Sequence, residues 1–137
     1  MSIVTKSFAF ATAFTVAAVI AASQIHAEDC CDPRSPFRPG EDYPEQPATC
    51  ENIEYWAERA PNTVARISMA ITGKLTAVNS DGALAYLVMC EAPGFEVMCI
   101  AYSTNGMEAG DRVLFAGGYN RAGEKRVVLD PCLASRE

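Results

Sequence analysis

The chain has 137 residues, half of them hydrophobic, with 11 Lys+Arg against 17 Asp+Glu, six cysteines and a single histidine. That length supplies one domain of modest size. The histidine, His26, falls in a segment read below as a removed leader. Its loss excludes a Ser-His-Asp or Cys-His nucleophile, a His-ligated zinc and an imidazole base from the mature protein. An acidic chain with no long basic run is also poorly matched to phosphate backbones, so no nucleic-acid partner is expected.

Residues 1–27 have the pattern of an export signal. Lys6 gives a positive start, and Phe8 to Ala22 is an unbroken apolar run. A polar step follows, Ser23-Gln24-Ile25-His26-Ala27, with an aliphatic residue at −3 and Ala at −1 for cleavage after Ala27. The apolar run is short of the roughly 20 residues that span a bilayer, and no cationic stop-transfer cluster follows it. The expected location is therefore the bacterial periplasm or the exterior, with no stable membrane anchor after cleavage. Cys30 follows Glu28-Asp29, an acidic context unsuited to lipid attachment.

Export governs how the cysteines are read. Cys30, Cys31, Cys50, Cys90, Cys99 and Cys132 all lie after the cleavage point, and an even number in a short exported domain points to disulfides. With no CxxC pair and no histidine, no metal site and no cofactor are expected.

Residues 28–60 carry nine acidic and three basic side chains, whereas residues 61–137 carry eight and seven. The acidity thus belongs to the front of the mature chain. Residues 28–48 form an arm in which Pro33, Pro36, Pro39, Pro44 and Pro47 exclude helix and central strand. The arm is either disordered or pinned by disulfides.

A short helix is expected within residues 49–61. Thr49 is placed to cap it, Glu51 and Glu54 suit its positive end, and Ile53, Trp56, Ala57 and Ala60 share one face before Pro61. Strands follow through residues 62–134. Arg66 to Ala77 alternates, with Gly73 on the apolar side, where a long strand bulges or coils. Asn79–Gly82 reads as a hairpin turn, Ala83–Glu91 as a second strand, Pro93-Gly94 as a tight turn and Phe95–Ser103 as a third strand. The second and third strands are apolar on both faces, which implies a core on one side and partial cover on the other. Asp111–Gly117 is a fourth strand, Gly118–Lys125 a polar turn, and Arg126–Leu129 a fifth strand.

A long coiled strand, a meander, a connection and a final hairpin follow the order of a five-stranded OB-fold barrel, which leaves no open edge. The fold class is mainly β, with the short helix and arm in front. The segments ITGKL (Ile71–Leu75), VMC (Val97–Cys99), AGDRV (Ala109–Val113), AGG (Ala116–Gly118) and VLDPC (Val128–Cys132) resemble the tRNA-anticodon-binding-like family of exported OB-fold proteins. The resemblance covers roughly residues 64–133. The family name reflects fold rather than demonstrated tRNA binding. The chain departs from the family pattern in lacking a lipobox, in Pro131 within the last motif, and in Cys90 and the cysteine-bearing arm.

In an OB barrel the third strand neighbours the fifth, which makes Cys99–Cys132 the first choice of bridge. A Cys90–Cys99 pair would be diagonal across a hairpin, at or beyond the reach of about 7 Å between Cα atoms. Cys90 is then left to tie the arm through Cys30, Cys31 or Cys50.

OB barrels bind through the face of their second and third strands and the adjoining hairpins. Tyr86, Phe95, Tyr102, Tyr119 and Arg121 are the candidate ligand-binding residues, although Tyr86 and Phe95 read better as ordinary barrel residues. Ala83 to Ser103 contains no Lys or Arg, which opposes a phosphate-gripping role. No carboxylate pair stands out by spacing, so no catalytic residue is named and no enzyme is expected. The expected function is a non-catalytic binding or accessory module for a protein or small ligand. The alternative is a small structural or inhibitory protein acting through its acidic arm.

Overall fold

The computed structural model describes residues 30–137. The export signal expected over residues 1–27 lies outside the described residues. In chain order the elements are β1 (Phe37–Pro39), β2 (Ala48–Thr49), α1 (Ile53–Glu58), β3 (Ile67–Ser80), β4 (Ala85–Met89), β5 (Glu96–Ala101), β6 (Arg112–Gly123) and β7 (Arg126–Arg136).

Period-two alternation builds the barrel. Along β4 and β5 the buried Leu87, Met89, Val97 and Cys99 alternate with half-buried Tyr86, Val88, Met98 and Ile100. β3 pairs antiparallel with β4, β4 with β5, and β6 with both β7 and β3, while β5 and β7 run parallel. The circuit β3-β4-β5-β7-β6-β3 therefore closes. This is the strand order of an OB-fold barrel. Inside it, Met69, Ile71, Leu87, Met89, Val97, Val113, Phe115, Val127 and Leu129 are buried.

The second apolar face of β4 and β5 is half-buried, the partial cover that their composition implies. The one helix among the described residues packs against β2 rather than across these strands. Register instead places Tyr86 beside Ile100, Val88 beside Met98, and Met98 beside Val128. Cross-strand neighbours shield one another.

The arm is neither loose nor held at its first cysteines. Cys30 and Cys31 bond to each other and so tie nothing further along the chain. The arm is held where β1 pairs with β3, setting buried Phe37 against Met69, and where β2 lies parallel to β3. Ser68 Oγ donates to the Gly40 carbonyl at 2.5 Å. The Cys50–Cys90 disulfide fixes the arm's C-terminal end to the residue that follows β4. Pro39 sits in β1 because this strand is an added outer one, where a missing N–H costs no ladder bond.

Several boundaries differ from the sequence expectation. Thr49 lies in β2, and the helix N-cap is Asn52, whose Oδ1 accepts a bond from the Thr49 N–H at 2.7 Å. The helix ends at Glu58, before Pro61, and buries Ile53 and Ala57. The register shift of β3 falls between Leu75 and Ala77 rather than at Gly73. Gly73 instead makes room for a disulfide, since a Cβ there would lie 3.1 Å from both Cys50 Sγ and Met89 Sδ. The glycine lets the Cys50–Cys90 bridge lie close against β3.

The final hairpin is longer than expected, because Gly118–Gly123 continues β6 and Asp130–Arg136 continues β7. Pro131 is tolerated within β7 because the register shifts between Gly117 and Tyr119, so that it falls at a bulge. Gly117 answers that bulge. A Cβ there would meet the Pro131 carbonyl oxygen and stand 2.8 Å from Cys132 Cα.

Candidate binding site

The five sequence-predicted side chains do not form one site. Three of them lock the final hairpin to the rest of the molecule. Arg121 extends from β6 over the ring of buried Phe95, with its guanidinium carbon 4.7 Å from the ring centre. Its Nη1 donates to the Ala57 carbonyl in α1 at 3.2 Å, its Nε to the Gly123 carbonyl at 2.6 Å, and its Nη2 to the Glu124 carbonyl. Phe95 therefore offers no ring face to a ligand, and the Arg121 fork is occupied by main-chain oxygens. Tyr119, two residues before Arg121 and on the same side of β6, packs edge-on against Phe37 with centroids 5.1 Å apart. Burial raises the Tyr119 hydroxyl above the usual phenol range, with Arg121 opposing that shift.

Tyr86 is engaged locally. Its hydroxyl donates to Asp81 Oδ2 at 2.8 Å, while Asp81 Oδ1 accepts from the Ala83 and Leu84 N–H groups at 2.9 and 2.8 Å. Those two main-chain donors, followed by the Tyr86 hydroxyl, hold the Asp81 carboxyl below the usual carboxylate range. The same hydrogen bond raises the Tyr86 phenol. This cluster staples the β3–β4 turn.

Tyr102 is different. It is 82% exposed and stands at one side of a cleft of about 230 Å³ that also takes in Glu41 and Tyr43 from the arm, Arg66 and Ser68 from the start of β3, and Leu133 from β7. The Ala116-Gly117-Gly118 stretch of β6, with Pro131 and Cys132 of β7, completes the lining. Neither glycine carries a Cβ, and both lie where β7 approaches β6 closely. Gly118 also gives Arg66 its position, since a Cβ there would lie 3.0 Å from Arg66 Nη2 and 2.6 Å from the Asp130 carbonyl oxygen. Arg66 Nη2 donates to that same carbonyl at 3.3 Å. Tyr43, Tyr102 and Leu133 are three of the five large hydrophobic side chains that stand exposed among the described residues.

Sequence reasoning missed Tyr43, Arg66 and Leu133. Tyr43 lies in a proline-rich stretch that reads as a leader, Arg66 at the polar start of a strand, and Leu133 beyond the expected end of the last strand. The run of small residues at 116–118 was the signal that could have marked a hollow.

Cys99 pairs with Cys132, linking β5 to β7, and the described chain has no free cysteine. Among the described residues no group of three or more His, Cys, Asp or Glu side chains is placed to hold a metal ion. No described helix is long and apolar enough to cross a membrane.

No family model and no curated protein sequence matches the chain. Among solved structures, a chain of the S. pombe Stn1-ten1 complex matches at 15% identity with a TM-score of 0.38. The match takes in 53% of this chain and 60% of that one, less than two thirds of its length. Nothing in these comparisons bears out the expectation that nucleic acid is excluded as a partner.

Proposed function

We propose that the protein is a non-catalytic binding module of an oxidising, extracytoplasmic compartment, and that its binding site is the cleft between Tyr43 and Tyr102. One observation carries this reading: of the five large hydrophobic side chains exposed among the described residues, three line one concavity. Solvated apolar chains scattered singly need no explanation, but a cluster of them around a hollow costs hydration that a ligand recovers. Tyrosine beside arginine is the composition that contributes most to contacts at binding surfaces.

Two further features support the reading. Every cysteine is in a disulfide, so no thiolate nucleophile competes with a binding role and the pairing suits an oxidising location. The acidic arm is not a separate effector in this view, because its Glu41 and Tyr43 both line the cleft.

The test compares immobilised wild-type protein with Tyr43→Ala and Tyr102→Ala variants on an envelope extract, with thermal midpoints measured alongside. A ligand retained by the wild type and lost from both equally stable variants is the expected result. Retention unaffected by either substitution would move the site elsewhere.

A further inference from the structure

The chemistry of the cleft narrows its ligand class. We infer that it takes one ring of an uncharged saccharide chain, an assignment that rests on the cleft being the binding site.

Charge is the first discriminator. Glu41 and Arg66 both line the hollow, one of each sign. A phosphate or carboxylate ligand would meet the Glu41 carboxylate, and a cationic one the Arg66 guanidinium. A neutral ligand meets neither penalty. It also accepts hydrogen bonds from the guanidinium and donates to the carboxylate, and bonds to charged partners are the stronger kind.

The second discriminator is the pairing of surfaces. Tyr43 and Tyr102 are 57% and 82% exposed, and Leu133 is 60% exposed. A pyranose ring has a face of C–H groups, with positive edges that suit the negative face of a phenol ring, and a rim of hydroxyls that both donate and accept. The cleft holds the complementary set. The two phenol hydroxyls and the Glu41 carboxylate hold no hydrogen bond or ion pair among the described residues, and Arg66 commits Nη2 to the Asp130 carbonyl. A purely apolar side chain from a protein partner would leave those polar groups unmatched.

Size is the third. Pockets that enclose a drug-sized ligand measure about 300–1,000 Å³, and this cleft is about 230 Å³. It admits a single ring while the rest of the chain lies over the exposed tyrosines. The site lies away from the β3–β4 and β6–β7 turns, since neither contributes a lining residue.

The experiment screens the full mature protein on an array of neutral and acidic glycans, then titrates the best neutral tetrasaccharide by calorimetry. Tyr43→Ala, Tyr102→Ala and Glu41→Gln are titrated in parallel, with thermal midpoints as the folding control. The expected result is binding of neutral glycans, weakened at least tenfold by either tyrosine substitution with the midpoint unchanged. Binding of acidic glycans alone overturns the assignment, as does glycan binding that ignores both tyrosines. If no glycan binds but an extract component is still lost from the tyrosine variants, the saccharide assignment falls and the cleft stands as a binding site. If neither is seen, both fall.

Discussion

The guanidinium of Arg121 lies over the ring of Phe95 at 4.7 Å, and the same group reaches the Ala57 carbonyl of the helix. Two residues far apart in sequence are thereby used up on each other, and α1 is fastened to the β6–β7 hairpin. Arg121→Ala removes a cation–π contact and three hydrogen bonds to main-chain carbonyls. We expect a loss of about 1–2 kcal/mol in denaturant unfolding, together with faster amide exchange in α1. Arg121→Lys should recover little of it, because an ammonium cannot present the planar fork.

Tyr119 gives the opposite expectation. Among the described residues its hydroxyl is buried without a hydrogen-bond partner, while its ring packs on Phe37. Tyr119→Phe keeps the ring contact and removes a buried oxygen that makes no hydrogen bond among the described residues and has only the Arg121 charge nearby to offset its desolvation. The variant should be neutral or more stable, by up to about 1 kcal/mol, and a fall of that size in its unfolding free energy would contradict this.

The three disulfides should contribute unequally. Cys50–Cys90 and Cys99–Cys132 close separations of 40 and 33 residues, whereas Cys30–Cys31 closes a separation of one. Loop-closure entropy assigns about 3–4 kcal/mol to each long bridge and essentially none to the adjacent pair. Paired Cys→Ser variants at 50/90 and 99/132 should lower the thermal midpoint markedly, and Cys30→Ser/Cys31→Ser should leave it near the wild-type value.

The Asp81–Tyr86 pair predicts a pH response at both ends of the range. Asp81 has a depressed folded pKa, chiefly through the Leu84 and Ala83 N–H groups. Its contribution is therefore present above the unfolded carboxylate value near about 3.9, and it is lost as pH falls through the lower folded value. Tyr86 is raised by its bond to Asp81. Its contribution is present below about 10 and is lost as pH rises through the higher folded value. Tyrosine ring NMR titration should show Tyr86 ionising above the usual phenol value, and Asp81→Ala should bring it back.

Gly117 tests the bulge. Its missing Cβ is what lets Pro131 and Cys132 approach β6. Gly117→Ala must push two backbones apart, at a cost of about 1–3 kcal/mol by analogy with overpacked cores. A thermal scan that shows no loss would mean the hairpin relaxes freely.

Much of the barrel was legible because its information is local. Alternation from Ile67, the turn chemistry of Asp81-Gly82 and Pro93-Gly94, and the apolar runs around Leu87 and Val97 each specify a strand through neighbours two residues away. The last hairpin was legible only in part. Gly118, Gly123 and Pro131 read as breakers, and they become strand residues because a bulge absorbs the missing side chains and the missing N–H.

The half-hydrophobic composition, the six cysteines and the acidic front segment were set before any folding, and the strand alternation with its turn residues carried the mainly β class. Which aromatic residue faces a ligand was not. Arg121 and Phe95 are 26 positions apart in sequence yet in contact, and Tyr43 and Tyr102 are 59 apart yet line one cleft. Periodicity tells which side of a strand a residue occupies. Only closure of the barrel, and the pairing of the arm onto β3, decides what stands opposite it.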